Sequence, residues 1–151
     1  VAKQRSISIQ VALLRDSSGL EYVGGYVDKA ELETYLLQMK QILTDDFIQY
    51  RENQAARDLR MFHMTLLSPK EYLHLKDKKI NFGKLLALEL IGLGEVKKDD
   101  KATYFVVAQS MESQFYRQQL GLQQKDLHVT LGFSPNDIYG VRKGVDTLIK
   151  E

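Results

Sequence analysis

Two similar stretches stand out in this chain: HMTLLSP at residues 63–69 and HVTLGFSP at residues 128–135. They differ by one inserted residue and hold two of the three histidines and both prolines of the chain. Side chains of a β-strand alternate between its two faces. In each copy the histidine therefore shares a face with the threonine two positions later, while apolar residues occupy the other face. The repeat predicts two strands that bury one face in a core and present a His-x-Thr pair on the other.

The residues after each predicted strand indicate the start of a helix. Ser68, Pro69 and Glu71 match a capping box with proline at the first helical position. Residues 134–137 repeat the Ser-Pro step, with Asp137 in the place of the acidic residue. A strand, a Ser-Pro turn and a helix are thus expected twice, which favours an α+β domain with two pseudo-symmetric lobes.

The rest of the chain predicts further elements around this repeat. We expect strands over residues 6–14, 22–27, 85–96 and 103–108, a helix that begins after Asp28 and another that is capped by Ser110. The pair Gly24-Gly25 predicts a bulge or a close backbone approach within its strand. Residues 44–57 leave a second helix and a mobile segment both open. No linker interrupts the pattern, so we expect one domain over residues 1–151.

Composition narrows the class of protein. A hydrophobic fraction of 44% and a charged fraction of 27% are ordinary for a globular domain. The absence of cysteine excludes disulfides and thiolate metal sites, and a net charge of +1 lacks the broad positive field of a general nucleic-acid binder. No apolar run approaches the roughly 18–20 residues that cross a bilayer, and no signal-peptide core follows the N-terminus. We expect a cytoplasmic monomer with no membrane contact and no obligate protein partner.

The residue types of the repeat point to phosphoester chemistry. Histidine changes its charge near neutral pH, so one of His63 and His128 can take a proton while the other gives one. The hydroxyls of Thr65 and Thr130 can hold phosphoryl oxygens. The sequence places no cluster of carboxylates beside the histidines. We therefore predict a site without metal or cofactor, and the sequence leaves open which histidine is the acid.

The two motifs resemble those of the 2H phosphoesterases, a family named for two His-x-Thr/Ser motifs. The resemblance rests on His63-Met64-Thr65 and His128-Val129-Thr130, and residues 127–133 are its more distinctive part. It implies a bilobal α+β fold in which two antiparallel sheets with outer helices face a central cleft. It also implies metal-free 2′,3′-cyclic phosphodiesterase or RNA-end-processing chemistry, with a nucleotide or an RNA end as substrate.

Side chains near the motifs are candidate substrate contacts. Ser68 and Ser134 are interpreted first as helix caps, a role that is compatible with a phosphate contact at a helix start. Tyr139, Arg142 and Lys143 follow the second motif and are candidates to stack a base or to meet a phosphate. A solvated charged segment is the favoured interpretation for these three.

Several functions remain open from the sequence. The same residues would suit cleavage of 2′–5′, 3′–5′ or cyclic-dinucleotide linkages. A catalytically inactive RNA-binding module on the same fold is another possibility. A third is a histidine metal site that uses His63, His128 and Asp126.

Overall fold

The strands of the protein form one antiparallel sheet. A computed structural model describes residues 4–75 and 79–150. Within them the strands are β1 (Arg5–Gln10), β2 (Ala12–Arg15), β3 (Glu21–Val27), β4 (Phe62–Leu67), β5 (Leu85–Lys98), β6 (Lys101–Gln109) and β7 (Leu127–Ser134). They lie in the order β1-β5-β6-β7-β4-β3-β2. The helices are α1 (Glu33–Leu43), α2 (Phe47–Arg57), α3 (Pro69–Leu75) and α4 (Met111–Gln119).

This architecture agrees with the predicted α+β class but corrects the expectation of two sheets. Strands β4 and β7, which carry the two motifs, pair with each other and join what would be two sheets into one of seven strands. The division into two pseudo-symmetric lobes is therefore not confirmed.

The pairing of β4 with β7 places the motifs side by side at the centre of the sheet. Met64 is the Cα partner of Val129, and both side chains are fully buried. Counting outward from this antiparallel pair sets His63 beside Thr130 and Thr65 beside His128. Because side chains alternate along a strand, these four lie on the face opposite to Met64 and Val129.

The sheet curls until its two edges meet. The edge strands β1 and β2 are consecutive in the chain and are separated by Val11 alone. The predicted single strand over residues 6–14 is therefore two strands. Between the two strands, the Val11 N–H donates to the carbonyl of Lys84, and the Val11 carbonyl accepts from the N–H of Gly83.

The Gly24-Gly25 pair marks a close approach, as predicted. The register of β3 against β4 shifts between Val23 and Gly24, which is a bulge. A Cβ on Gly24 would lie 2.1 Å from the carbonyl oxygen of Met64, and one on Gly25 would lie 2.5 Å from the Cβ of Ile9. A larger residue at Gly24 would push β3 away from the motif strand β4, and one at Gly25 would push β3 away from β1.

The helices agree only in part with the sequence predictions. Residues 44–57, for which the sequence allows either a helix or a mobile segment, form a 3₁₀ turn and helix α2. The first helix begins with a 3₁₀ turn, and its predicted cap Asp28 makes no side-chain cap bond. Ser110 caps α4 as predicted, since its Oγ accepts from the N–H of Ser113 at 3.0 Å. None of the described helices is long and apolar enough to cross a membrane.

The two Ser-Pro steps behave differently. After β4, the capping box is confirmed: Glu71 accepts from the Ser68 N–H at 2.9 Å, and its own N–H donates to Ser68 Oγ at 3.2 Å. After β7, no helix starts in residues 134–144, so the predicted second cap is wrong. The carboxylate of Asp137 accepts instead from the side chains of Arg57 and Lys143.

Candidate active site

A cleft of about 650 Å³ opens over the two motif strands. Its floor includes all four motif side chains, His63, Thr65, His128 and Thr130. Its walls come from β3, from the C-terminal end of α2 and from the segment that follows β7. The residues that line the walls include Tyr22, Arg57, Asp58, Ser68, Lys125, Asp126, Asp137, Tyr139, Arg142 and Lys143. The four predicted motif residues are thus brought together, while their catalytic roles stay predictions.

His63 has an acidic and a phenolic neighbour. Its Nδ1 lies 3.5 Å from the hydroxyl of Tyr22, and the two ring centroids are 5.1 Å apart. Burial lowers the pKa of His63, and the charge of Arg57 acts in the same direction. The carboxylate of Asp58 opposes both by favouring the imidazolium.

His128 lies among cations and an aromatic ring. Its ring meets the ring of Phe105 edge to face, with centroids 5.5 Å apart. Burial lowers the pKa of His128 to about 3. The positive charge of Lys143 and, to a smaller extent, that of Lys125 add to this effect, while the carboxylate of Asp137 opposes it. At neutral pH His128 is therefore a neutral imidazole, which is the form that accepts a proton.

Arg57 ties the end of α2 to the segment after β7. Its Nε and Nη2 donate to the two carboxylate oxygens of Asp58 at 2.8 and 2.9 Å. Its Nη1 donates to Asp137 at 2.5 Å and to the hydroxyl of Tyr139 at 3.3 Å. Burial raises the pKa of Asp137, but the charges of Lys143 and Arg57 more than offset it and hold that pKa below its usual value. This network fixes one wall of the cleft.

A similar network stands after the first motif. Arg117 of α4 donates to both oxygens of Glu71 at 2.9 and 2.8 Å, and Lys125 lies 3.5 Å from the same carboxylate. Although burial raises it, the pKa of Glu71 falls to about 2 because of these bonds and charges. Glu71 and Asp137 stand three residues after Ser68 and Ser134. Each carboxylate is thus bound by the arginine that precedes the other motif.

The remaining predicted contacts have mixed outcomes. Ser68 lines the cleft and also caps α3, whereas Ser134 does not line it. Tyr139 lines it with 71% of its surface exposed. Arg142 is exposed and donates to both oxygens of Asp126 at 2.9 and 3.0 Å. Among the described residues, no group of three metal-ligating side chains is arranged to hold an ion.

Sequence reasoning missed several residues of the site. Arg57 and Asp58 belong to no recognisable motif. The hydrogen bond from Arg57 to Asp137 joins residues that are 80 positions apart in the sequence. Lys143 was interpreted as part of a solvated segment but is buried. The signal that could have found Asp137 was its match to Glu71, which the sequence interpretation used only to predict a cap.

Comparison with known families agrees with this geometry. The model of the Swiss Army Knife 2H phosphoesterase domain matches residues 21–139, an interval that contains both His-x-Thr motifs, Arg57 and Asp137. The chain belongs to the 2H phosphoesterases. Membership supports a phosphodiesterase-type function in general. No curated protein and no solved structure matched this 2H phosphoesterase.

Proposed function

We propose that the protein hydrolyses a 2′,3′-cyclic phosphodiester, on an RNA end or a nucleotide, without a metal. One observation carries the proposal: both histidines and both threonines lie on one face of two paired strands and line one cleft. Two imidazoles and two hydroxyls on one anion are the groups that this reaction needs. The threonine hydroxyls donate to the phosphoryl oxygens, and the imidazoles move the protons.

The surroundings of the two histidines divide the acid and base roles. His128 is the base: as a neutral imidazole it takes a proton from the attacking water while the new bond to phosphorus forms. His63 is the acid: burial lowers its pKa, but the carboxylate of Asp58 opposes this shift, and a bound phosphate anion also favours the imidazolium. The bond from phosphorus to one ribose oxygen breaks, and that oxygen receives the proton of His63. The product is a phosphomonoester, and the two imidazoles have exchanged protonation states.

A second groove favours a related alternative, an oligonucleotide phosphodiesterase. This groove has a volume of about 1210 Å³ and shares Lys125, Asp126 and Arg142 with the cleft. Phe115 is exposed at its wall and is a surface on which a base can stack. An RNA chain whose scissile phosphate lies in the cleft would extend into this groove. In that case the neighbouring free ribose hydroxyl replaces water as the nucleophile, which is the 2′-hydroxyl in a 3′–5′ linkage and the 3′-hydroxyl in a 2′–5′ linkage, and the 5′-oxygen leaves with a proton.

The test is a product assay on the purified protein in EDTA. The substrates are a 2′,3′-cyclic mononucleotide, an oligonucleotide with a cyclic phosphate end, and 3′–5′ and 2′–5′ linked dinucleotides. We expect opening of the cyclic phosphate, and a loss of about 10²–10⁴-fold in kcat/KM for His63→Ala and for His128→Ala. His74→Ala is the matched control, since His74 is exposed on α3 and bonded to the carbonyl of Lys70.

Each other outcome selects a different function. Cleavage of the linear dinucleotides alone would favour the oligonucleotide phosphodiesterase. Binding of RNA with no turnover of any substrate would favour the inactive binding module. Activity that is lost in EDTA and restored by zinc would overturn the metal-free mechanism. Near-normal activity of a folded His63→Ala or His128→Ala protein would contradict the two-histidine mechanism itself.

A further inference from the structure

Lys143 is a buried cation in the wall of the cleft. Its residue surface is 6% exposed, and its ammonium nitrogen lies 3.3 Å from Asp137 Oδ1. The same nitrogen is 5.8 Å from the centre of the Phe105 ring and 5.9 Å from that of Tyr139. Its neighbours are therefore one carboxylate and two aromatic faces.

The hydrogen bonds of Lys143 are incomplete. An ammonium group carries three donors, and among the described residues only Asp137 accepts from it. Arg57, on the same carboxylate, makes four hydrogen bonds. Unpaired donors on a buried charge are costly. The free donors of Lys143 are thus available to an acceptor within the cleft.

Lys125 provides a comparison from the same cleft. It also faces a single carboxylate, at 3.5 Å from Glu71, but its side chain is 31% exposed, against 7% for Lys143. Bulk water can therefore complete the hydrogen bonds of Lys125. Bulk water reaches Lys143 far less. A hydrogen bond from Lys143 to an anion is therefore worth more binding free energy than one from Lys125.

The charged side chains that line the cleft balance one another, so anion binding depends on direct contacts. Its lining contains four basic side chains (Arg57, Lys125, Arg142, Lys143) and four carboxylates (Asp16, Asp58, Asp126, Asp137). Their charges cancel, so no strong overall field draws an anion in. Specific donors have to hold it instead.

We infer that Lys143 binds an oxygen of the phosphoryl group in the cleft and that Asp137 positions Lys143 for this contact. The role of the anion as a substrate rests on the proposed function, whereas the anion site itself does not. The family match ends at residue 139, four positions before Lys143. This contact is thus supplied by a part of the chain beyond the matched segment.

The test measures the binding of inorganic phosphate by calorimetry at neutral pH. Lys143→Met should weaken binding by about 10–100-fold, the usual effect of losing a hydrogen bond from a charged donor. Lys125→Met should have a smaller effect. Lys98→Met should have none, because Lys98 lies on the exposed β5–β6 hairpin. Equal affinities of Lys143→Met and the wild-type protein, or a larger loss in Lys125→Met, would overturn the inference.

A measurement on the wild-type protein covers the case in which Lys143→Met fails to fold. Phosphate should shift the NMR resonance of the Lys143 ammonium nitrogen and leave that of Lys98 in place. An unshifted Lys143 resonance at saturating phosphate would overturn the inference.

The outcomes separate this inference from the proposed function. Phosphate binding that depends on Lys143, in a protein that turns over no phosphodiester, would keep the anion site and reject the enzyme. Hydrolysis of cyclic phosphate with unchanged phosphate affinity and unchanged kcat/KM in Lys143→Met would do the reverse.

Discussion

The two histidines occupy the same place in the same repeated phrase but have different surroundings. His63 lies beside the hydroxyl of Tyr22 and near the carboxylate of Asp58. His128 lies against Phe105, with the cations of Lys143 and Lys125 and the carboxylate of Asp137 nearby. Asp58 and Asp137 each favour the imidazolium of the neighbouring histidine, whereas Arg57 at His63 and the two lysines at His128 favour a neutral ring. The repeat thus sets the geometry of the four motif side chains, while residues outside it make the two halves chemically different.

The largest expected effect on kcat/KM comes from replacing either motif histidine. His128→Asn and His63→Asn should each lower kcat/KM by about 10²–10⁴-fold. A base works when deprotonated and an acid when protonated. The wild-type pH profile should therefore be a bell, His128→Asn should lose its acidic limb and His63→Asn its alkaline limb. Rate profiles across pH check this, and the opposite assignment of limbs would reverse the acid and base roles.

The two carboxylates that follow the motifs provide the next comparison. Asp137→Asn leaves Arg57 and Lys143 with less compensation in a buried cluster, and should cost about 3–5 kcal/mol in the free energy of unfolding. Glu71→Gln should cost less, about 1–3 kcal/mol, because the Glu71 side chain is 25% exposed. Urea unfolding measures both. A larger loss in Glu71→Gln would show that the better buried network is not the stronger one.

Acidification should weaken the folded protein through the histidines before the carboxylates respond. Both folded-state histidine pKa values are lowered, and that of His128 falls to about 3. Below about pH 6.5 these histidines bind protons in the unfolded chain but stay neutral in the folded protein. The free energy of unfolding should then fall by up to about 1.4 kcal/mol per pH unit and per histidine.

The range from pH 6.5 to 4.5 isolates this effect. Glu71 and Asp137, whose folded pKa values are lowered, lose their stabilising contribution only as the pH falls further, through the usual carboxyl range. Urea unfolding at several pH values should show a flatter dependence for His63→Gln and for His128→Gln than for the wild-type protein. A wild-type slope in either variant would contradict the lowered pKa of that histidine.

The smallest effect concerns the hydroxyl next to His63. Tyr22→Phe keeps the ring and removes a group 3.5 Å from Nδ1. Loss of one such contact is worth about 0.5–1.5 kcal/mol, or about 2–10-fold in kcat. Tyr26→Phe is the control, because Tyr26 is on the same strand but does not line the cleft. Equal rates in Tyr22→Phe and the wild-type protein would show that the Tyr22 hydroxyl does not contribute to kcat.

The sequence was sufficient where the signal was local. Alternation of apolar and polar residues located the motif strands and the face that His63 and His128 occupy. The capping box at Ser68 and the cap at Ser110 each depend on residues within one helical turn, and both are confirmed.

The sequence was insufficient where distant residues decide the structure. The pairing of Met64 with Val129 joins the expected two sheets, and it connects strands 65 positions apart. The second Ser-Pro step has the same letters as the first, yet Asp137 binds a guanidinium from α2 in place of a helix start. Long-range pairing and burial set these outcomes, and local periodicity carries no information about either.

The most direct test is to titrate the two histidines by NMR, with and without inorganic phosphate. Without phosphate both pKa values should lie below 6.5, because burial lowers each of them. One bound anion should raise both, because it favours each imidazolium. A phosphate that raises the pKa of only one histidine, or of neither, would contradict the claim that the repeated His-x-Thr motifs form one phosphate site.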